Sequence, residues 1–168
     1  IRSVILAASR GPEFGALTED KPKAMIELGG KPILRHIQDA FTQCSIKDMT
    51  VVVGYKPETV HLDNIKTVDH PEWEQTGNAY SLYKAIDQLE GPVVISYGDL
   101  VFEPRVLTAL LDSPGNIVLS VDTSWSNAPD DRSFICSVRG DRAPSEIFGG
   151  TTYSALEEIG YDLPHDQA

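Results

Sequence analysis

The sequence lacks the features that mark membrane and secreted proteins. No apolar run approaches the roughly 20 residues that a membrane-spanning helix needs. No basic stretch followed by an apolar run indicates a signal peptide. The two cysteines, Cys44 and Cys136, lie far apart and form no CxxC pair, which is typical of reduced thiols. From these absences we expect a cytoplasmic protein that does not associate with membranes.

Positive charge is also scarce. The chain has 14 Lys and Arg residues against 25 Asp and Glu residues, which gives a formal net charge of −11. A nucleic-acid-binding surface needs a basic patch, so this balance argues against nucleic acid as a partner. It does not exclude a small phosphorylated ligand, because a few local cations or a bound metal ion can reverse the field at one site.

Several common catalytic motifs are missing. The sequence has no GxSxG nucleophile motif and no GxGxxG fingerprint, and GGKPIL at 29–34 lacks the Ser or Thr that follows the lysine of a P-loop. The histidines show no metal-ligand spacing, and we interpret them as surface or structural residues. They are His36, His61, His70 and His165. Covalent hydrolase chemistry therefore has no support in the sequence.

Short apolar runs alternate with stretches of helical periodicity. The runs at 4–7, 49–53, 93–95 and 117–121 are typical of buried parallel strands. Helical spacing covers 32–44, 78–89 and 104–111, with Asn78 as the expected N-cap of the second helix. This rhythm predicts an α/β fold with a mostly parallel central sheet and helices on both faces. Beyond residue 122 the rhythm stops, and we expect one strand at 134–138 and one helix at 153–159.

The predicted sheet indicates where a ligand would bind. In open parallel sheets, ligands lie outside the carboxyl ends of the strands, which here means the segments after Ala7, Val53 and Tyr97. The first of these segments contains Ser9 and Gly11, whose backbone N–H groups can form an anion-binding nest. Arg10 and Lys23 add positive charge to it. An ordinary strand-to-helix connection is the alternative interpretation.

Two further segments carry polar groups to the same edge. VVVGYKPE at 51–58 places Lys56 where it could reach a phosphate, although a solvated lysine is an equal alternative. In DHPEWEQTGNAYSLYKA at 69–85, Thr76, Asn78 and Ser81 lie where a loop enters a helix, and their amide and hydroxyl groups could pair with the edge of a pyrimidine base. Helix capping alone would also explain Asn78.

A carboxylate follows the third apolar run. VVISYGDLVF at 93–102 places Asp99 at the carboxyl end of a predicted strand. A turn or cap role is the simpler interpretation of a lone aspartate there. Beside a phosphate-binding loop, however, Asp99 becomes a candidate Mg²⁺ ligand, because Mg²⁺ commonly takes one or two protein carboxylates together with phosphate oxygens.

The first loop resembles a known signature. LAASRGPEFGALTEDKPKAM at 6–25, followed by ELGGKPIL, is similar to the pattern LAAGxGxRxxxxTxxxPK and GKP of the sugar-nucleotide-type nucleotidyltransferases. The matching residues are Leu6, Ala7, Ala8, Gly11, Thr18, Pro22, Lys23, Gly30, Lys31 and Pro32. Two positions depart from the pattern: Ser9 replaces the first glycine, and Glu13 stands where the family has an arginine.

The resemblance implies a fold, a reaction and a set of site residues. The fold would be a Rossmann-like three-layer nucleotidyltransferase fold, forming a single domain over 1–168. The reaction would be Mg²⁺-dependent transfer of a nucleotidyl group from a nucleoside triphosphate to a phosphorylated acceptor, with release of pyrophosphate. Lys23 and Arg10 would act on the phosphates and Asp99 would hold the metal. The nucleotide-binding residues would be Leu6, Ala7, Ala8, Ser9, Gly11, Lys56, Thr76, Gly77, Asn78 and Ser81.

The segment at 69–85 resembles the NPxYxxxNNxYSLxxA segment of cytidylyltransferases that act on phosphocholine and on phosphonates. We therefore expect CTP as donor and a phosphonate as acceptor, with 2-hydroxyethylphosphonate favoured, as in fosfomycin biosynthesis. Such domains often occur fused to a phosphoenolpyruvate mutase, and a chain that starts at Ile1 is expected to be a module of a longer polypeptide.

Other interpretations stay open. The acceptor could be aminoethylphosphonate, phosphonoformate or phosphocholine, and a sugar phosphate with another nucleotide is a second interpretation. A nucleotide-binding regulatory module without catalysis is a third. Glu13 and the lack of an evident second metal-binding carboxylate slightly favour it, whereas the presence of both Lys23 and Asp99 argues against it. The candidates for that carboxylate are Asp141, Glu146 and Asp162.

Overall fold

The structure is a computed structural model, and it describes residues 1–120, 135–138 and 156–160. The chain divides into two compact units, Ile1–Thr108 and Ala109–Ala168. The first unit contains most of the regular secondary structure that the structure describes.

A parallel sheet forms the centre of the first unit. The strands of this unit are β1 (Arg2–Ala7), β2 (Glu27–Leu28), β3 (Lys31–Pro32), β4 (Asp48–Val53), β5 (Lys66–Asp69) and β6 (Val93–Tyr97). Four of them form the central sheet in the order β5-β4-β1-β6, and each neighbouring pair is parallel. The expected mostly parallel α/β architecture is confirmed. The short strands β2 and β3 form a separate antiparallel pair.

The predicted helices of the first unit are present. They are α1 (Ile33–Gln43), α2 (Asn78–Lys84) and α3 (Pro104–Asp112), the last of which continues into the second unit. The N-cap of α2 is Gly77, not Asn78, so that detail of the sequence interpretation is wrong. Gly77 has an extended backbone (φ −104°, ψ −175°), and its carbonyl accepts the N–H of Ser81 in the first helical hydrogen bond.

Both faces of the central sheet are covered. Val4, Leu6 and Val52 belong to one buried cluster with Ala85, and Leu82 packs against it. Side chains alternate between the faces of a strand, so Ile5 and Val51 point the opposite way. Both are fully buried. This arrangement leaves the carboxyl ends of the strands as the open edge of the layered unit.

In the second unit, the described strands are β7 (Ile135–Val138) and β8 (Leu156–Gly160), which pair antiparallel. The expected strand at 134–138 is confirmed within these bounds. The helix expected at 153–159 is wrong, because residues 156–159 pair with β7 and this pairing overrides their helical propensity. The strand expected at 117–121 is wrong for the described residues 117–120, where no partner pairs with them and Ile117 is 87% exposed.

Candidate active site

The segment after β1 closes on itself. The backbone N–H of Lys23 donates to the carbonyl of Arg10 at 2.9 Å, which joins the two ends of the loop. The Thr18 hydroxyl donates to the carbonyl of Gly11 at 2.9 Å, and Arg10 Nε donates to the carbonyl of Thr18 at 3.1 Å. Thr18 is completely buried. These bonds hold residues 10–23 as a defined loop, which we call the β1 loop.

Gly11 allows the β1 loop to fold back on Lys23. Its φ of +78° lies in the left-handed region, which glycine enters without the steric cost of a side chain. A Cβ at this position would lie 2.8 Å from both Cβ and Cδ of Lys23. The missing side chain therefore lets the stem of Lys23 pass directly over the Gly11 backbone.

The Lys23 ammonium lies between two carboxylates. Its Nζ is 2.7 Å from Asp99 Oδ2 and 3.7 Å from Glu13 Oε1. Lys23 closes the loop that follows β1, and Asp99 follows β6, the strand that pairs with β1. The carboxyl ends of these adjacent strands thus bring together the residues that the sequence predicted as catalytic lysine and metal ligand. Their roles stay predictions.

Asp99 has the chemistry of a magnesium ligand. Its carboxylate is about one-third exposed and already lies against a cation, the Lys23 ammonium. The described part of the chain contains no group of three or more His, Cys, Asp or Glu side chains that could hold a metal ion. The assignment of Asp99 as a Mg²⁺ ligand therefore stays a prediction; few protein carboxylates together with phosphate and water oxygens are the usual Mg²⁺ ligands. Asp141, Glu146 and Asp162 lie outside the described residues.

Tyr55 connects the β1 loop to the end of β4, a role that the sequence did not reveal. Its N–H donates to the Ala8 carbonyl and its hydroxyl donates to the Glu19 carbonyl, both at 2.8 Å. Arg10 Cζ and Lys56 Nζ each lie 5.7 Å from the centroid of the Tyr55 ring, within the range of cation–π attraction. The Tyr55 ring therefore contacts two of the cations predicted at the site, Arg10 and Lys56. The only sequence signal was its position beside Lys56.

The apolar residues Leu6, Ala7 and Ala8 line the end of β1 and are buried. The Leu6 carbonyl accepts the N–H of Gly98 at 2.8 Å. A Cβ on Gly98 would lie 2.7 Å from the Ala7 Cβ, so the two strand ends meet closely at this point. Ser9 is half-buried at the start of the loop.

The segment that leads into α2 is organised around a buried histidine. His70 is 1% exposed, and its ring contacts the hydroxyl oxygens of Ser81 (Nδ1, 2.8 Å) and Thr76 (Nε2, 2.7 Å). Ser81 is itself buried, whereas Gly77 and Asn78 are exposed. Four residues were predicted here to bind nucleotide. Thr76 and Ser81 contact His70, whereas Gly77 and Asn78 face solvent. The sequence indicated only a surface or structural role for His70.

Backbone and ring contacts place this segment beside Tyr55. The N–H of His70 donates to the carbonyl of Val53 at 2.7 Å, and the Trp73 ring lies 5.5 Å from the Tyr55 ring. A Cβ on Gly54 would lie 2.7 Å from the Ala8 carbonyl and 2.8 Å from Trp73 atoms, so the chain segments touch closely here. The three segments predicted to bind ligand therefore meet at one edge of the sheet.

The sequence is similar to those of known proteins. Residues 3–160 match the model of a family described as the MobA-like NTP transferase domain. The chain is 36% identical over 112 residues to the UTP–glucose-1-phosphate uridylyltransferase AglF of Haloferax volcanii, covering 63% of this chain and 46% of that protein. It is 31% identical over 122 residues to the CMP-5'-(3-aminopropyl)phosphonate synthase of Streptomyces rubellomurinus, covering 68% of this chain and 19% of that protein.

A solved structure is similar as well. The CTP:phosphocholine cytidylyltransferase LicC of Streptococcus pneumoniae superposes with a TM-score of 0.55 at 25% identity, covering 62% of this chain and 49% of LicC. The chain spans less than half the length of each of these three proteins. Within the described residues, no helix has the length and apolar character that crossing a membrane requires. The family match extends over most of the sequence, and the chain belongs to the MobA-like NTP transferase domain family.

Proposed function

We propose that this chain is a cytidylyltransferase that transfers CMP from CTP to a phosphonate, with 2-hydroxyethylphosphonate the favoured acceptor, and releases pyrophosphate. One observation carries the proposal: the ammonium of Lys23 lies 2.7 Å from the carboxylate of Asp99 at the carboxyl edge of the sheet. Membership of the NTP transferase family supports the reaction class. The CTP-dependent and CMP-forming names of two similar proteins support the choice of nucleotide.

The reaction is an in-line displacement at phosphorus. An anionic oxygen of the acceptor attacks the α-phosphorus of CTP and forms a new P–O bond. The bond between the α-phosphorus and the oxygen bridging to the β-phosphorus breaks, and its electron pair leaves with pyrophosphate. The nucleophile is already ionised, so no general base is required. Catalysis then depends on positioning and on electrostatic stabilisation of two anions that approach each other.

The β1 loop supplies the groups for this task. Lys23 would stabilise the α-phosphate, and Arg10 with the backbone around Ser9 and Gly11 would hold the triphosphate. Bound Mg²⁺, held by Asp99, would neutralise phosphate charge and strengthen pyrophosphate as a leaving group. The contact between Asp99 and Lys23 supports assigning both side chains to the same phosphate group.

The remaining predicted residues would contact the nucleoside and the outer phosphates. Leu6, Ala7 and Ala8 form the buried floor at the end of β1. Gly77 and Asn78 are exposed at the start of α2, where their backbone and amide groups would contact the base. Lys56 lies over the Tyr55 ring beside Arg10 and would reach phosphate from the β4 side.

The similarity to AglF favours a second candidate, transfer of a nucleotidyl group to a sugar 1-phosphate. We propose further that residues 1–168 act as one nucleotidyltransferase domain within a longer protein. The proposed neighbour in that protein is a phosphoenolpyruvate mutase domain. A cytoplasmic location is part of the same proposal.

A substrate panel tests the proposal. Purified protein with Mg²⁺ is mixed with each of four nucleoside triphosphates and with 2-hydroxyethylphosphonate, 2-aminoethylphosphonate, phosphocholine or glucose 1-phosphate, and pyrophosphate release is measured. We expect release with CTP and a phosphonate. Pyrophosphate release with UTP and glucose 1-phosphate, but with no phosphonate, would favour the second candidate function, transfer of a nucleotidyl group to a sugar 1-phosphate. No release with any pair would indicate a binding module.

A further inference from the structure

His70 lies at the centre of the segment that leads into α2 and contacts two hydroxyl groups at once. Thr76 belongs to the loop before the helix and Ser81 to its first turns, eleven residues after His70. The His70 backbone is tied to the end of β4 through the Val53 carbonyl. The imidazole is therefore a rigid link between the central sheet, the loop and the helix.

The direction of each hydrogen bond follows from chemistry. The Thr76 hydroxyl also bonds to the carbonyl of Glu72 at 2.9 Å, and a carbonyl can only accept. The single hydroxyl hydrogen of Thr76 is therefore used there, so Thr76 must accept a hydrogen from Nε2 of His70. In a neutral imidazole Nδ1 then carries no hydrogen and accepts from the Ser81 hydroxyl. One tautomer, protonated at Nε2, satisfies every partner.

The surroundings favour this neutral ring. Burial lowers the pKa of His70 below its ordinary value of 6.5, with an opposing effect from Glu72 and a supporting one from Lys84. The Lys84 ammonium lies 3.0 Å from a Glu72 carboxylate oxygen, so these two charges largely neutralise each other. The Tyr80 ring covers the imidazole at 5.4 Å between ring centroids.

We propose that His70 is a positioning residue that fixes the 76–78 loop for the nucleotide base and makes Thr76 a hydrogen-bond acceptor. The Thr76 oxygen keeps one lone pair after its bonds to His70 and Glu72. Thr76 is half-buried, next to the exposed Gly77 and Asn78. An acceptor at this place suits a base that offers an exocyclic amino group, as cytosine does. The inference rests on the proposed nucleotidyl transfer and names a determinant of its base preference.

Two substitutions separate the contacts of the ring. The amide of His70→Gln reaches the position of Nε2 and can still donate to Thr76. The shorter amide of His70→Asn reaches only the position of Nδ1, so it can form a hydrogen bond with Ser81 but not with Thr76. We expect His70→Gln to keep the CTP KM close to that of the unaltered protein, and His70→Asn to raise it about tenfold with little change in kcat.

Thr76→Val provides the matched test of the partner. Valine removes the acceptor itself as well as its bond to His70, so Thr76→Val should raise the CTP KM at least as much as His70→Asn, and the double substitution should cost no more than Thr76→Val alone. Circular dichroism checks that each variant folds. Equal KM values for His70→Gln and His70→Asn in folded proteins would overturn the proposal.

Two measurements keep this inference separate from the proposed reaction. Calorimetric titration with CTP and Mg²⁺ measures base recognition without turnover, so a protein without pyrophosphate release can still show the expected difference between the His70 variants. Nitrogen-15 NMR of the imidazole reports the tautomer whether or not CTP binds. The Nε2-protonated form is expected, and an Nδ1-protonated ring in the folded protein would overturn the inference.

Discussion

At the scale of single residues, the Lys23–Asp99 pair is the feature that most needs a functional explanation. Both side chains are a quarter to a third exposed. Ion pairs in contact with water contribute only about 0–1 kcal/mol to the free energy of unfolding, so stability alone gives little reason for this pairing. Glu13, the departure from the family pattern, lies 3.7 Å from the same ammonium. With two carboxylates beside it, Lys23 would have to exchange an ion-pair partner for a phosphate in the proposed reaction.

Replacing Lys23 by methionine tests this role. Methionine retains most of the stem that lies over Gly11 and removes only the charge. We expect turnover to fall by about 10²–10³-fold, the size of effect seen when one group that stabilises transition-state charge is removed. The melting temperature should change little. Pyrophosphate release and thermal denaturation measure the two quantities.

Lys66→Met is the matched control, because Lys66 forms an ion pair of the same length, 2.7 Å, with Asp48 at the opposite end of the strands. It should leave turnover unchanged. Equal activity losses in both variants, or unfolding of Lys23→Met alone, would show that Lys23 is structural.

At the scale of elements, the sequence was informative where its pattern was strong. The apolar runs before Ala7, Val53 and Tyr97 became strands, and the rule for parallel sheets placed Lys23 and Asp99 together. β5 was missed because three of the four residues of its sequence, KTVD, are polar, and the strand is mostly exposed at the sheet edge. Residues 156–159 have helical propensity, but pairing with β7 decided their structure.

Residue contacts were harder to foresee than elements. His70 lies in the 69–85 segment, but nothing in the sequence singled it out, since its link to Thr76 and Ser81 depends on how the chain turns at the end of β4. Likewise, the contacts of the Tyr55 ring with Arg10 and Lys56 form only when the chain folds. Sequence spacing identifies which groups reach the same edge, whereas the pairing of individual atoms depends on tertiary packing.

The β1 loop provides a prediction at this scale. Gly11→Ala should lower the free energy of unfolding by more than the about 1–2 kcal/mol that a left-handed conformation costs a residue with a side chain, since the new Cβ also collides with Lys23. The displaced lysine should reduce turnover as well. Urea denaturation and pyrophosphate release measure both effects.

Gly91→Ala separates the effect of backbone strain at a positive φ from the effect of the steric clash with Lys23. Gly91 has nearly the same φ, +76° against +78°, but within the described part of the chain no atom outside Gly91 and its chain neighbours lies within 4 Å of the position that a Cβ would take, so only the strain applies. We expect Gly91→Ala to cost less stability and to leave turnover unchanged. Identical losses in the two variants would contradict the close packing of Lys23 on Gly11.

At the scale of the whole molecule, a strongly acidic chain gathers cations at one edge. The net charge is −11, yet Arg10, Lys23 and Lys56 all lie in the loops that follow β1 and β4. Arg10 and Lys56 share the Tyr55 ring. Because Glu13 and Asp99 lie beside Lys23, these cations together with a bound metal ion would have to offset the global charge for a polyanion such as a triphosphate to bind.

The stability of the whole fold should also depend on pH through His70. Burial lowers the pKa of its folded state below 6.5, so at pH values between the two pKa values the unfolded chain binds more protons. The free energy of unfolding should therefore be highest above pH 6.5 and fall as pH decreases towards the folded-state pKa. The pKa values of Asp48 and Glu72 are also lowered, but from 3.8 and 4.5, so their effect belongs to more acidic solutions.

Urea denaturation between pH 7.5 and pH 5 at fixed salt concentration measures this dependence, with His70→Gln as the comparison because glutamine keeps a donor for Thr76 but does not titrate. We expect the fall in unfolding free energy to be smaller in His70→Gln than in the unaltered protein. His61→Gln controls for the loss of an exposed histidine and should leave the slope unchanged. If His70→Gln had the unaltered slope, protonation of His70 would not oppose folding, and its ring would accept a second hydrogen without losing the Ser81 contact.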